Sequence, residues 1–212
     1  MIILSHRGLW KTAEEKNSEV AFRRSFELGF GTETDIRDYC GELVISHDIA
    51  NSDSMSLNYF LEIYSNYPNS LPLALNIKSD GLQSSLLVLL NKYNISNYFV
   101  FDMSVPDSLG YLQSGLKTFS RQSEHETTPS FYEDVGGIWL DEFNGHWITH
   151  YLILDHIKKK KKVCIVSPEL HNRSNDIVWS EYKKIFDDII DKESLMICTD
   201  FPEEADRYFN EN

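Results

Sequence analysis

The chain has 212 residues, 42% of them hydrophobic, 25% charged and 13% aromatic, with 10 Gly and 6 Pro. Such a chain can bury a full-size core, which excludes a disulfide-scaffold miniprotein and a disordered segment. Against 33 Asp and Glu stand 20 Lys and Arg, a formal charge of −13, so most of the surface repels nucleic acid and anionic membrane and an anionic ligand has to be attracted locally.

The amino terminus, Met1 to Arg7, has neither the basic nor the long apolar region of a secretion signal, and none is expected. Short β-type runs then alternate with segments of helical period to the end of the chain, the pattern of an α/β fold with parallel strands. The strands are expected at Ile2–Ser5, Thr32–Ile36, Leu73–Ile77, Tyr98–Phe101, Leu116–Phe119, Gly137–Leu140, Val163–Val166 and Leu195–Cys198. Helices are expected at Ser18–Leu28, Ser56–Tyr64, Leu82–Tyr93, Val105–Leu112, Ile148–Lys161, Ile177–Ile190 and Pro202–Phe209, with a poorly marked stretch near Pro129–Val135. Asn17 or Ser18 can cap the first helix and Gly29 can end it. The Cys40-Gly41-Glu42 turn joins Ile36–Tyr39 to Leu43–Ile45 as a small hairpin after strand 2. Eight βα units in this length predict a compact (β/α)8 TIM barrel, a single domain over residues 1–212 with no insertion domain; an open doubly wound sheet is the alternative.

The longest apolar run, Leu86–Leu90, is far short of the roughly 20 residues that cross a bilayer, so no integral membrane contact is expected. Cys40, Cys164 and Cys198 have no paired spacing and read as buried reduced thiols of a cytoplasmic protein. The run Lys158–Lys162 reads as the solvated last turn of a helix.

Function in a barrel gathers at the C-terminal ends of the strands. Those ends carry His6 and Arg7, Glu33 and Asp35, Lys78, Asp102, Arg121, Asp141, Glu169 and His171, and Asp200. Strand alternation points Glu33 and Asp35 to one face, where two like charges call for a cation; oxygen ligands suit Mg²⁺, Ca²⁺ or Mn²⁺. The same logic places Asn76 with Lys78 on one face, and Glu169 with His171 on the inward face of another strand. His6 and His47 are suited to general acid and base work near neutral pH. Arg121, Glu169 and His171 lie on loops that follow strands five and seven, on the substrate side. Trp147, with Trp10 and Phe143, could stack on a sugar or simply pack beneath loops.

His6-Arg7-Gly8, Asn17, Glu33-Thr34-Asp35 and Gly41-Glu42-Leu43-Val44-Ile45-Ser46-His47-Asp48, with Thr199-Asp200-Phe201-Pro202 near the end, resemble the signature of glycerophosphodiester phosphodiesterases, within the PI-PLC-like phosphodiesterase superfamily. The resemblance implies a (β/α)8 barrel with His6 and His47 as the acid/base pair. Arg7, Lys78 and Asn17 would hold phosphate or substrate, and Glu33, Asp35 and Asn76 a divalent cation, Mg²⁺ or Ca²⁺. Two departures qualify it. Asn76 stands where the family usually has a Glu ligand, so the cation would bind more weakly. The short path from His47 to Lys78 leaves no room for the subdomain many members insert there. The implied activity is hydrolysis of a small soluble glycerol-, alditol- or sugar-phosphate diester. The alternatives are a non-catalytic phosphoester-binding module on the same barrel, or a lyase or phosphotransferase that forms a cyclic phosphate.

Overall fold

The computed structural model describes residues 1–211. The chain forms two compact units, Ser5–Thr118 and a second that combines Met1–Leu4 with the chain from Phe119 onward; β1 (Ile2–His6) runs from one into the other.

In the Ser5–Thr118 unit, α1 (Glu19–Glu27) starts where Ser18 Oγ accepts the Ala21 N–H and stops before Gly29, whose φ of +81° needs a residue without a side chain. β2 (Gly31–Tyr39) follows, then β3 (Glu42–Ile45), β4 (Met55–Ser56), α2 (Leu57–Tyr64), β5 (Leu73–Ile77), α3 (Gln83–Lys92), β6 (Tyr98–Phe101) and α4 (Val105–Gln113). β2, β5 and β6 are parallel neighbours, with Asp35 beside Asn76 in the ladder. The expected hairpin is present: β3 runs antiparallel to β2, and the left-handed φ of Cys40 (+50°) and Gly41 (+85°) makes the two-residue turn that matches strand twist. β4 adds a third antiparallel strand. Ile36, Leu75 and Ile77 face one way into a core shared with Phe22, Phe60 and Leu86 from the helices. By period two, Glu33, Asp35, Asn76 and Lys78 face the other way.

In the other unit, β7 (Phe119–Gln122), β8 (Gly137–Leu140), β9 (Lys162–Val166) and β10 (Leu195–Thr199) pair in parallel in that order. α5 (His150–Lys158), α6 (Asp176–Asp188) and α7 (Pro202–Asn210) alternate with them from β8 onward. Between β7 and β8 there are turns and no helix, so the stretch near Pro129–Val135 is not the helix the alternation suggests. A polar chain replaces the missing apolar face: the Tyr132 hydroxyl meets His156 Nδ1 at 2.8 Å, His156 Nε2 meets Gln122 Oε1 at 2.8 Å, and Gln122 Nε2 donates to the Thr127 carbonyl at 2.9 Å.

Four expectations need correction. The fifth parallel strand is Phe119–Gln122, not Leu116–Phe119: Leu116 is drawn into the core and Thr118 makes a single bridge with Val100, while Ser120, Arg121 and Gln122 form the ladder. Glu169 and His171 do not alternate along a strand, because β9 ends at Val166 and Pro168 opens a 3-10 helix through His171. Cys40 is exposed at its hairpin tip, whereas Cys164 and Cys198 are buried. Lys161 is not solvated: it is buried, and its Nζ donates to the Glu133 and Val135 carbonyls. Among the described residues no helix is long and apolar enough to cross a membrane.

Candidate active site

His6 ends β1, and the chain then turns through Arg7 (φ +59°) and Gly8 (φ +84°). A side chain at Gly8 would put its Cβ 2.8 Å from the backbone carbon and Cβ of Ala21, so the close approach of this turn to α1 requires glycine. The Arg7 N–H donates to the Glu33 carbonyl at 2.9 Å and the Gly8 N–H to Thr32 Oγ1 at 3.1 Å, which ties the turn to β2. Asn17, also left-handed at φ +59°, closes the loop by donating its N–H to the Arg7 carbonyl.

Asp35 lies at the centre with its side chain wholly buried. Arg7 Nε is 3.1 Å from Oδ2, Lys78 Nζ is 3.4 Å from Oδ1, and Asn17 Nδ2 donates to Oδ2 at 2.8 Å. Asn17 Oδ1 in turn accepts from Thr34 Oγ1 at 2.8 Å, which fixes the amide orientation. Glu33 is also buried, with His6 Nε2 3.9 Å from its Oε2. Burial, and next the charge of Asp35, push the Glu33 carboxyl far above its ordinary range; Arg7 and Lys78 oppose that shift.

Glu33 Oε2, Asp35 Oδ1 and Asn76 Oδ1 are buried without a hydrogen-bond partner. Three hard oxygens on adjacent strands, two of them from acids, suit a divalent cation such as Mg²⁺ or Ca²⁺, so these residues fit one. His47 follows β3 by two residues. The Ser46 N–H donates to the Asp35 carbonyl at 3.1 Å, and the half-exposed His47 ring meets Asp48 Oδ1 through Nδ1 at 2.9 Å.

No family model and no curated protein matches the chain. Solved structures do. A Galdieria sulphuraria protein provisionally designated a glycerophosphodiester phosphodiesterase superposes with a TM-score of 0.75 at 18% identity, over 98% of this chain and 97% of that one. The glycerophosphodiester phosphodiesterase of Agrobacterium tumefaciens gives 0.70 at 14% identity, over 96% and 97%. The chain has the glycerophosphodiester phosphodiesterase fold. A Streptomyces antibioticus Ca²⁺-dependent phosphatidylinositol-specific phospholipase C also superposes, at 0.58 and 8% identity over 96% and 95%. The α/β, (β/α)8-barrel class expected from the sequence is therefore observed.

Of the residues singled out in the sequence, Arg7, Asn17 and Lys78 meet Asp35, Asn76 lies beside it in the ladder and His6 approaches Glu33, whereas the His47 ring meets its neighbour Asp48. Arg121, Trp147, Glu169 and His171 belong to the other unit. There Arg121 pairs with Glu126, and Trp147 Nε1 donates to the Asp141 carbonyl at 2.9 Å. His171 Nε2 lies 2.6 Å from Asp141 Oδ1, with its ring against Phe143 at 4.6 Å. Glu169 is occupied as an acceptor from Ser167, Thr199 and the Asp200 N–H. Sequence reasoning passed over Glu142, fully buried and held by Arg173, Tyr182 and His146. Its neighbour Asp141 drew attention as a strand end; nothing in local spacing marks Glu142.

Proposed function

We propose that this protein is a phosphodiesterase acting on a small soluble phosphodiester with a glycerol, alditol or sugar alcohol, by acid/base catalysis from His6 and His47. The observation that carries the reading is the buried Asp35 bracketed by Arg7 and Lys78, with His6 against Glu33: cations and a proton carrier gathered at strand ends in a chain of net charge −13. A local excess of positive charge draws an anionic ester that the rest of the surface repels.

Arg7 and Lys78 hold the non-bridging phosphate oxygens and neutralise charge that builds there in the transition state. His47, steadied at Nδ1 by Asp48, takes the proton from a neighbouring hydroxyl of the substrate, and His6 delivers a proton to the departing alkoxide. The substrate's own alcohol is the attacking group; whether the resulting cyclic ester is opened by water or released separates a hydrolase from a lyase. Asn17 positions Asp35 and the Arg7 turn rather than reaching substrate. Glu33, Asp35 and Asn76 would hold a divalent cation, which when bound supplies Lewis-acid stabilisation of phosphate charge. The protein acts in the cytoplasm in this reading, with no nucleic-acid or integral membrane partner.

The test is a panel of glycerophosphodiesters followed by phosphorus NMR, for the wild type, His6→Ala and His47→Ala. Turnover lost by at least about 100-fold in each variant is expected for a proton carrier; unchanged rates in both would end the mechanism. A second reading, a phosphoester-binding module without turnover, is favoured by Asn76 in place of a charged ligand. Saturable binding with no product from the wild type would decide for it.

A further inference from the structure

β2 continues past Asp35, and its alternation places one more residue on the face of Glu33 and Asp35. Ile36 packs in the helix-side core, so Arg37 faces the opposite way, one strand repeat (about 7 Å) beyond Asp35. Its NH2 donates to the Lys78 carbonyl at 3.2 Å, which ties the guanidinium to the backbone at the end of β5. Its Nε is buried and makes no hydrogen bond. The adjacent acid, Asp38, is on the other face and accepts from Ser79 Oγ at 2.7 Å. Among the described residues Arg37 meets no carboxylate. Arg7 and Lys78 share Asp35 between them; Arg37 is a third cation on the same face, fixed by a backbone carbonyl and without counter-charge.

A fixed, partly desolvated guanidinium with no acid is unfavourable in the empty protein and is relieved by an anion. A phosphodiester carries a single negative charge, which Arg7 and Lys78 already face. We propose that Arg37 is a specificity-determining residue that takes a second anionic group of the substrate, so that the preferred diesters carry a carboxylate on one of their alcohols. This rests on the phosphodiester reading of the site.

Glycerophosphoserine and glycerophosphoethanolamine differ by one carboxylate and serve as the probes. Binding is measured by calorimetry on the full chain in a His6→Ala background, and turnover on the wild type. The serine diester should bind about tenfold more tightly, the size of one charge-assisted hydrogen bond. Adding Arg37→Gln should bring that ratio to about one, and Arg37→Lys should keep part of it. Equal binding in the parent, a ratio that survives Arg37→Gln, an equal weakening of both esters, or binding of neither overturns the assignment. A preference in binding that Arg37→Gln abolishes, with neither ester hydrolysed by the wild type, upholds Arg37 and refutes the hydrolase.

Discussion

The two inward carboxylates of β2 should respond in opposite ways to neutralisation. Asp35 is fully buried with Arg7 at 3.1 Å and Lys78 at 3.4 Å, and each contact is worth about 5 kcal/mol of gross attraction at an effective dielectric of about 20. Much of that sum offsets the desolvation of three ions. Asp35→Asn forfeits the attraction yet leaves Arg7 and Lys78, 20% and 21% exposed, facing each other. The expected loss is about 3–5 kcal/mol, which lowers Tm by roughly 10 °C for a chain of this size. Glu33 is different. Its charge is opposed first by burial and then by Asp35, so Glu33→Gln should leave stability unchanged or raise it by about 1 kcal/mol at neutral pH. The sign of the pH dependence follows. With a folded-state pKa raised above the unfolded one, the folded chain holds more protons between the two values, and stability falls as pH rises through that window. Glu33→Gln should flatten the decline. Urea unfolding followed by circular dichroism, in metal-free buffers from mildly acid to mildly alkaline, measures both effects. Equal losses in the two variants, or a loss below about 1 kcal/mol for Asp35→Asn, would refute the electrostatic argument.

Asn17 holds Asp35 and Thr34 from a backbone at φ +59°, so Asn17→Gly should destabilise by about 2 kcal/mol and Asn17→Ala by about 1 kcal/mol more; a thermal melt reads the gap, and an alanine no worse than glycine would show the turn is unstrained. Asn76→Glu supplies a third acid beside Glu33 and Asp35, and Mg²⁺ or Ca²⁺ should then raise Tm at roughly tenfold lower concentration, checked by titrated thermal shift. Cys40 alone should react with a thiol reagent in the folded protein, and Cys164 and Cys198 only after unfolding; three fast thiols in native buffer would contradict the buried assignment.

Much of this was legible because the two periods of secondary structure report faces. Alternation along Thr32–Ile36 puts Glu33 and Asp35 together, and continued two residues further it would have marked Arg37 as well. The hairpin was legible at Cys40-Gly41-Glu42, though the turn itself takes only Cys40 and Gly41 and Glu42 already belongs to β3. What stayed hidden has physical causes. β7 is built from Ser120, Arg121 and Gln122, whose polarity imitates a loop because Gln122 spends its amide on His156 and Thr127. Glu169 and His171 keep a strand-like spacing on paper, but Pro168 has already ended the ladder. The pairing of Asp35 with residues 17, 7 and 78 depends on tertiary closure, which no local pattern encodes.

The connection between β7 and β8 is held in a manner unlike its neighbours. An oily helix face loosens by degrees, since each lost methyl removes only its own share of area. Tyr132, His156, Gln122 and Thr127 form a file in which the middle members each serve two partners, so taking away the Gln122 amide strands the imidazole on one side and a carbonyl on the other. That span should come undone as one seam, not fray from its ends.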